Sequence, residues 1–566
     1  MISNYFKIFS IVIIFIFPNE AKSKNNYIDE FNSRELSSYL SAIIALNNEK
    51  NEISLEYFKS SKNLKNIHNQ YFKKYITSLV LNQNVKGAIQ ELKIQKDKKK
   101  IDFYEAYLLL AIDSIQKKDF KKSSFYLRKL SKYQNVGTFE NIIFESLKNY
   151  FYAFENKKII KQKSNYKNLD NLNLTFIKCY LSHSQTKQSF EKLINSSTID
   201  YSRYLFFYIS HLIENKNFSK IKNITKNIDD FNSTLLVLQT KIWIEKNQFE
   251  NISKIFSCKN EEDILAEFFF LTANLYSNDN NFQKSNFYLS VSNHLNKKFK
   301  YNLSLMADNY FESENFNHVK KVLKKFDVND GVFYWYKIKK LSSIIANKHN
   351  DEQALKYLES NYLKIDDKNN KIIFDMANIY RNYKKYDEAI KLYTMILENV
   401  LPDTVTYADL LYRRGGSYER LGKFKKSDED LQSALKILPD NSNILNYLAY
   451  SWLERDINIS KSVSMLELAY EKDDKSPYIT DSIGWAYYLT NRFEEAEVLL
   501  RKAIILMPND PIVNDHYGDI LWSLNRKIEA KYYWNSVLNF KNTDEEMKKK
   551  IKNKLLLGTS KKNENL

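Results

Sequence analysis

Between residues 477 and 508 the polar and apolar positions predict two helices folded back on each other: PYITDSIGWAYYLTNRFEEAEVLLRKAIILMP. Gly484 is the small residue at which the two helices must touch, because a close crossing leaves no room for a large side chain. Tyr487 sits one turn later, Phe493 closes the turn, and Pro508 stops the second helix. Ala496 and Ala503 let the second helix approach, and Leu500 fills between them. The small position recurs. Gly518 lies 34 residues after Gly484, Ala449 lies 35 before it, and Gly415 lies 34 before Ala449. Ala377, Ser342, Ala307 and Ala273 continue the series at spacings of 38, 35, 35 and 34. An aromatic residue recurs near the turn at Phe282, Phe316, Tyr386, Phe424 and Phe493. Ser476-Pro477 and Asp510-Pro511 supply an N-cap followed by proline, whose missing N–H costs nothing at the first helical position.

A small residue, an aromatic, two alanines and a terminal proline in a 34-residue period resemble the tetratricopeptide repeat (TPR). The resemblance implies an all-α solenoid, a right-handed superhelix of helical hairpins in which each unit packs only on its neighbours. The N-terminal half keeps the period loosely. Ala42, Ile76, Ala111, Ser146, Ile177, Ile209 and Thr240 fall 31 to 35 residues apart. The expected organisation is therefore a leader over 1–23, degenerate helical hairpins over 24–260, the clear array over 261–540, and a capping helix with a basic tail over 541–566. A separate all-helical domain in the N-terminal half is the alternative. Asp544–Leu557 is acidic at its start and basic at its end, as the helix dipole favours. Ala377, Gly415, Ala449, Gly484, Ala496, Ala503, Gly518 and Ala530 are the positions expected to make the packing.

Composition agrees with an all-α chain and adds little. Only 9 Gly and 6 Pro occur in 566 residues, too little turn punctuation for an all-β or doubly wound fold. The net charge of +18 raises an anionic partner, nucleic acid or a lipid surface. The basic residues are spread along the chain, apart from runs at Lys93–Lys100, Lys157–Lys163 and Lys548–Lys554, and Lys, Asn, Ile, Tyr and Phe are abundant together. That spread speaks for compositional bias, so no nucleic acid is expected; a basic surface that binds anionic lipid or nucleic acid, with peripheral membrane association, stays as the alternative. Cys179 and Cys258 are more than two repeats apart, which argues against a bridge. At the N-terminus Lys7 precedes the apolar run Ile8–Phe17, Pro18 breaks it, and Ala21-Lys22-Ser23 follows. This is the pattern of a secretory signal peptide cleaved after Ser23 or Ala21, with an uncleaved anchor as the alternative. No lipobox cysteine is present near it. The periplasm is the expected location.

No reaction is visible in the sequence. The 7 His are scattered, and none pairs with another His or with Cys at metal-ligand spacing. No phosphate loop or nucleophile elbow occurs, and Arg413-Arg414-Gly415-Gly416 reads as a helix with its second glycine on the surface. The expectation is a non-enzymatic chain with no cofactor and no metal. An enzyme with an unrecognised site in the N-terminal half is the alternative. What remains is a binding surface. In a TPR stack the first helix of each hairpin lines the concave face. Counting the small residue as the eighth position, the second, fifth, ninth and twelfth share that face. These are Tyr478, Asp481, Trp485 and Tyr488 in one hairpin and Ile512, Asp515, Asp519 and Trp522 in the next. Tyr412 and the neighbouring Arg420 stand in the Gly415 hairpin. The alternative for Trp485 and Trp522 is core between repeats. The Lys/Asn set that clamps a terminal carboxylate in some TPR proteins is absent.

Two segments go beyond the generic repeat. Asp481-Ser482-Ile483-Gly484-Trp485, then His516-Tyr517-Gly518-Asp519-Ile520-Leu521-Trp522 followed by Ala530 and Trp534, resemble the C-terminal end of exported bacterial TPR adaptors. The resemblance covers roughly 443–538. It implies a scaffold that binds a periplasmic carboxy-terminal processing protease and its peptidoglycan hydrolase substrates.

Overall fold

The computed structural model describes residues 32–66, 68–135, 138–160, 167–195 and 202–559, and these are α-helical with short 3-10 turns. The expected leader falls on residues 1–23, outside the described residues. Among the described residues no helix is long and apolar enough to cross a membrane. The chain forms two compact units, residues 1–358 and 359–566. Residue 260 falls inside the first, where Asn260 caps the helix Glu261–Asn278.

One hairpin turn recurs in both units. Glu49, Gln83, Lys118, Ser182, Lys216, Asn247, Asn280 and Glu314 in the first unit have φ between 54° and 60°. Lys384, Asp456 and Asn491 in the second have φ of 59°, 54° and 61°. Each sits between the two helices of a hairpin, where one left-handed residue reverses the chain at a cost of about 1 kcal/mol for a residue with a Cβ. The degenerate half thus uses the turn of the regular half with residues that a sequence pattern does not flag.

Among the described residues nineteen α-helices, α1 to α19, run from Ser33 to Leu363 in the first unit, the last ending beyond residue 358. This unit closes on itself. Asn51 donates to Tyr310 Oη at 3.2 Å, Gln283 to Leu46 O at 2.8 Å and Asn315 to Glu49 O at 3.0 Å. The first hairpin therefore rests on helices more than two hundred residues downstream. The same winding overturns the expectation about the cysteines. Cys179 and Cys258 form a disulfide with their Cα atoms 5.8 Å apart. The end of helix Lys167–Tyr180 meets the segment before Glu261, with Lys259 Nζ on Cys179 O at 2.6 Å and Tyr180 Oη on Glu261 at 2.6 Å. Separation along the chain is not separation in space when hairpins wind this tightly. His211 Nδ1 lies 3.4 Å from Cys179 Sγ, so a His and two Cys do converge here, with both sulfurs taken up in the bond.

In the second unit the helices are α20 (Asn370–Asn382), α21 (Tyr386–Leu397), α22 (Val405–Arg420), α23 (Phe424–Ile437), α24 (Ser442–Glu454), α25 (Ile459–Lys472), α26 (Pro477–Leu489), α27 (Phe493–Leu506), α28 (Pro511–Ser523), α29 (Lys527–Asn539) and α30 (Glu545–Leu557). Even-numbered helices up to α28 are the first of each pair. Ser476 caps α26 and Asp510 caps α28, each ahead of a first-turn proline. A Cβ on Gly484 would stand 2.8 Å from Leu500 Cγ and 3.2 Å from its backbone N, so α26 and α27 touch through that gap. On Gly518 a Cβ would run into the Trp534 indole. Ala377, Ala449, Ala496, Ala503 and Ala530 are fully buried at the same crossings, and Gly415 is buried against Leu431 and Asp430. Gly416 corrects the sequence reading: it is buried too, under the Tyr447 ring.

Candidate functional site

The last three first-position helices present one continuous row of polar and aromatic side chains, and that row is covered. Trp485 on α26 stacks on His516 of α28 at 4.0 Å, with an interplanar angle of 10°, and on Tyr488 at 4.8 Å. Its Nε1 donates to Glu454 at 2.8 Å. Asp481 accepts from His516 Nδ1 at 3.0 Å. Asp515 and Asp519 are one turn apart on α28 and face α30. Lys554 Nζ reaches Asp515 at 2.5 Å and Asp519 at 2.6 Å, and Lys550 Nζ reaches Asp515 at 3.0 Å. Trp534 Nε1 donates to Asp519 at 3.1 Å. Gly558, with φ +77°, lies against Trp522, and Thr559 reaches Tyr488.

The expectation that Asp481, Trp485, Asp515 and Asp519 face solvent is therefore corrected. Trp485 is 9% exposed and Asp515 is 2% exposed. The physical reason is that the face lining the concave side is also the face by which successive first helices meet, and α30 adds one more helix to that row. Trp522 and Tyr488 are half-buried at its edge, and Tyr478 stays exposed.

Burial sets the electrostatics of this end. His516 loses pKa to burial, but Asp481, Asp515 and Asp519 outweigh that and raise it above its ordinary 6.5. Burial pushes Asp515 up, yet Lys554 and Lys550 hold it below its usual value. Asp519, burdened by burial and by Asp515, is pushed up to about 6. Asp515 therefore ionises first and Asp519 second.

Further up the array the concave face is only partly covered, with Arg381, Tyr412 and Tyr447 half-buried and Arg420 exposed. Arg420 on α22 has its side chain 62% exposed, with Nε 3.5 Å from its neighbour Glu419. Arg381 on α20 holds a guanidinium nitrogen 3.7 Å from where a Gly416 Cβ would be, and it pairs with no carboxylate among the described residues. Tyr412 and Tyr447 pack edge to face at 5.7 Å between these arginines, and Tyr447 Oη donates to Glu419 at 3.0 Å. Arg413 is not available, being held by Asp409 at 2.8 Å and Asn378 at 3.3 Å. Asn446 on α24 has a buried carbonyl oxygen with no hydrogen-bond partner among the described residues. Tyr412 and Arg420 were legible from sequence. Arg381 and Asn446 were missed, although the same count from Ala377 and Ala449 lands on both. Lys550 and Lys554 were visible only as a basic run.

Residues 408–441, which hold α22, α23 and the turn between them, match the tetratricopeptide repeat family model. This segment is a tetratricopeptide repeat. A TPR repeat-containing protein of Pseudomonas aeruginosa is 30% identical over 111 residues, 20% of this chain and 19% of that protein. The match thus spans about a fifth of the relative's length. A thermophilic TPR protein of Thermus thermophilus is 18% identical, covers 33% of this chain and 100% of its own, and has a TM-score of 0.30. MamA is 17% identical, covers 34% and 96% respectively, and has a TM-score of 0.25. The repeat assignment rests on the sequence matches and on the hairpins themselves, not on these two structures.

Proposed function

We propose that this protein is an exported, non-enzymatic adaptor that binds another envelope protein along the concave face of its second unit. The observation that carries the reading is the partly covered stretch around Arg381, Tyr412, Arg420 and Tyr447. A guanidinium with no carboxylate partner among the described residues and an exposed one sit beside two tyrosines. Tyrosine and arginine supply area and orienting charge at low entropic cost, which is what a protein-recognition surface needs. The arginines would take acidic side chains of the partner in paired hydrogen bonds. Export is supported by the apolar run Ile8–Phe17 and the small residues after it, and by the Cys179–Cys258 disulfide, which persists in oxidising compartments. The resemblance of 443–538 to exported adaptors supports a carboxy-terminal processing protease, and cell-wall hydrolases presented to it, as the partners to try first.

The test is purified full-length protein against that protease, with Arg381→Ala/Arg420→Ala as the variant. The reading expects a complex that the double variant weakens at least about tenfold, the loss of two charge-assisted contacts. Equal binding by the variant would overturn the assigned surface. Recovery of the mature chain from the cytosol would overturn export.

A further inference from the structure

The helix α30 is a poor permanent cap. Of its thirteen residues only Ile551 and Lys554 are buried, and Leu556 and Leu557 are 81% and 84% exposed. Its ionic contacts are paired in register: Lys550 and Lys554, one turn apart, meet Asp515 and Asp519, one turn apart, while Ile551 with the half-buried Met547 and Leu555 supplies a narrow apolar contact. Beneath it lie Asp515 and Asp519, with Trp522 against Gly558 at its end, and the acidic and aromatic row continues from there through His516 to Asp481 and Trp485. Without α30 the carboxylates of Asp515 and Asp519 would lose every lysine they have, while Asp481 would keep His516. The surface therefore demands a helix that brings two ammonium groups i, i+4 with an apolar side chain between, as Ile551 lies between the two lysines.

We propose that α30 is an exchangeable occupant of this groove, keeping it shut until a partner's basic amphipathic helix of the same pattern takes its place. The inference rests on the reading of the second unit as a protein-binding surface, and it adds a second, gated site to the partly covered one. The buried Lys554 pairs are little screened by salt, so ionic strength acts on exchange only through Lys550, whose side chain is 58% exposed. Tethering gives α30 an effective concentration in the millimolar range, so a free helix competes only when it binds well or when α30 is weakened.

Two measurements decide it. The probe is a fluorescent synthetic peptide spanning Asp544–Thr559, read by anisotropy against the full-length wild type and against full-length Lys550→Glu/Lys554→Glu. The proposal expects the variant to bind the peptide, and to bind it at least about tenfold tighter than wild type does, because only its groove is vacated. Equal affinity for both proteins, or no binding to a variant that keeps wild-type helicity, overturns it. The second measurement needs no variant. In wild type, amide exchange in α30 should be at least about a hundredfold faster than in α28, the mark of local opening. Equal protection would make α30 a fixed cap and end the proposal. The Arg381/Arg420 test reads a different stretch of groove, so either can fail alone.

Discussion

Trp485→Ala separates a packing residue from a binding residue. The indole is 9% exposed, stacked between His516 at 4.0 Å and Tyr488 at 4.8 Å, and bonded to Glu454 at 2.8 Å. Truncating a buried tryptophan costs about 3–5 kcal/mol through lost burial and the cavity left behind. In this position it also admits water to His516 and weakens its contact with Asp481. Repeats couple only to their neighbours, so the loss falls on the interface of α24, α26 and α28. In a unit of this size each kcal/mol is worth about 2–4 °C, giving a fall of roughly 6–20 °C in the melting of the C-terminal repeats. Trp485→Phe keeps most of the stack and loses only the bond to Glu454, whose residue is exposed and free to take up water. It should cost under about 1 kcal/mol. Urea and thermal melts followed by circular dichroism, with amide exchange to place the loss, measure both variants. An Ala variant that melts with wild type, or a Phe variant as damaged as the Ala variant, would refute the packing role.

Three further outcomes follow from other contacts. Gly484→Leu, which must displace Leu500 and the α27 backbone, should cost about 1–3 kcal/mol in the same melts, with Gly484→Ala already destabilising. Cys179→Ser/Cys258→Ser opens a bridge that spans 79 residues, and loop entropy puts the loss near 4–5 kcal/mol; a non-reducing gel of wild type should show faster migration than the reduced form. The third concerns pH. His516 titrates above 6.5, so its stabilising contribution is complete below 6.5 and is lost as pH rises through the raised value. Asp519, raised to about 6, acts in the same direction: stability falls as pH climbs from its ordinary 3.8 toward 6. Asp515, held low by its lysines, withdraws support only as pH falls below 3.8. The C-terminal repeats should therefore melt higher at pH 5 than at pH 8, and Asp519→Asn should flatten that difference; a melting point that rises steadily to pH 8 would contradict these assignments.

The hairpins of the second unit could be read from the chain because Gly415, Gly484 and Gly518 mark places where a Cβ cannot fit, and such places recur with the period. In the first unit the same turns are built from Gln83, Lys118 or Lys216, which leave no such mark. Closure of that unit on itself, and the disulfide with it, depend on how hairpins wind in space, which local spacing does not carry. The concave face was legible as a set of positions but not as a set of exposures. Asp515 and Asp519 satisfy the count, and what covers them is a helix 35 to 39 residues further on, joined by ion pairs that no periodicity announces. Arg381 lies within reach of the same count, four residues after Ala377, but in a hairpin whose 38-residue spacing to the next departs from the period.

Site-specific photocrosslinking in the native cell tests the central claim most directly. A photoreactive residue in place of Asn443, exposed on α24 at a concave position by the same count, is compared with one in place of Ile505, which is 73% exposed on the second helix of a later hairpin. A discrete crosslink to one envelope protein is predicted from position 443, absent at 505 and lost with Arg381→Ala/Arg420→Ala. Equal crosslinking from both positions, or crosslinks only to cytosolic proteins, would contradict it.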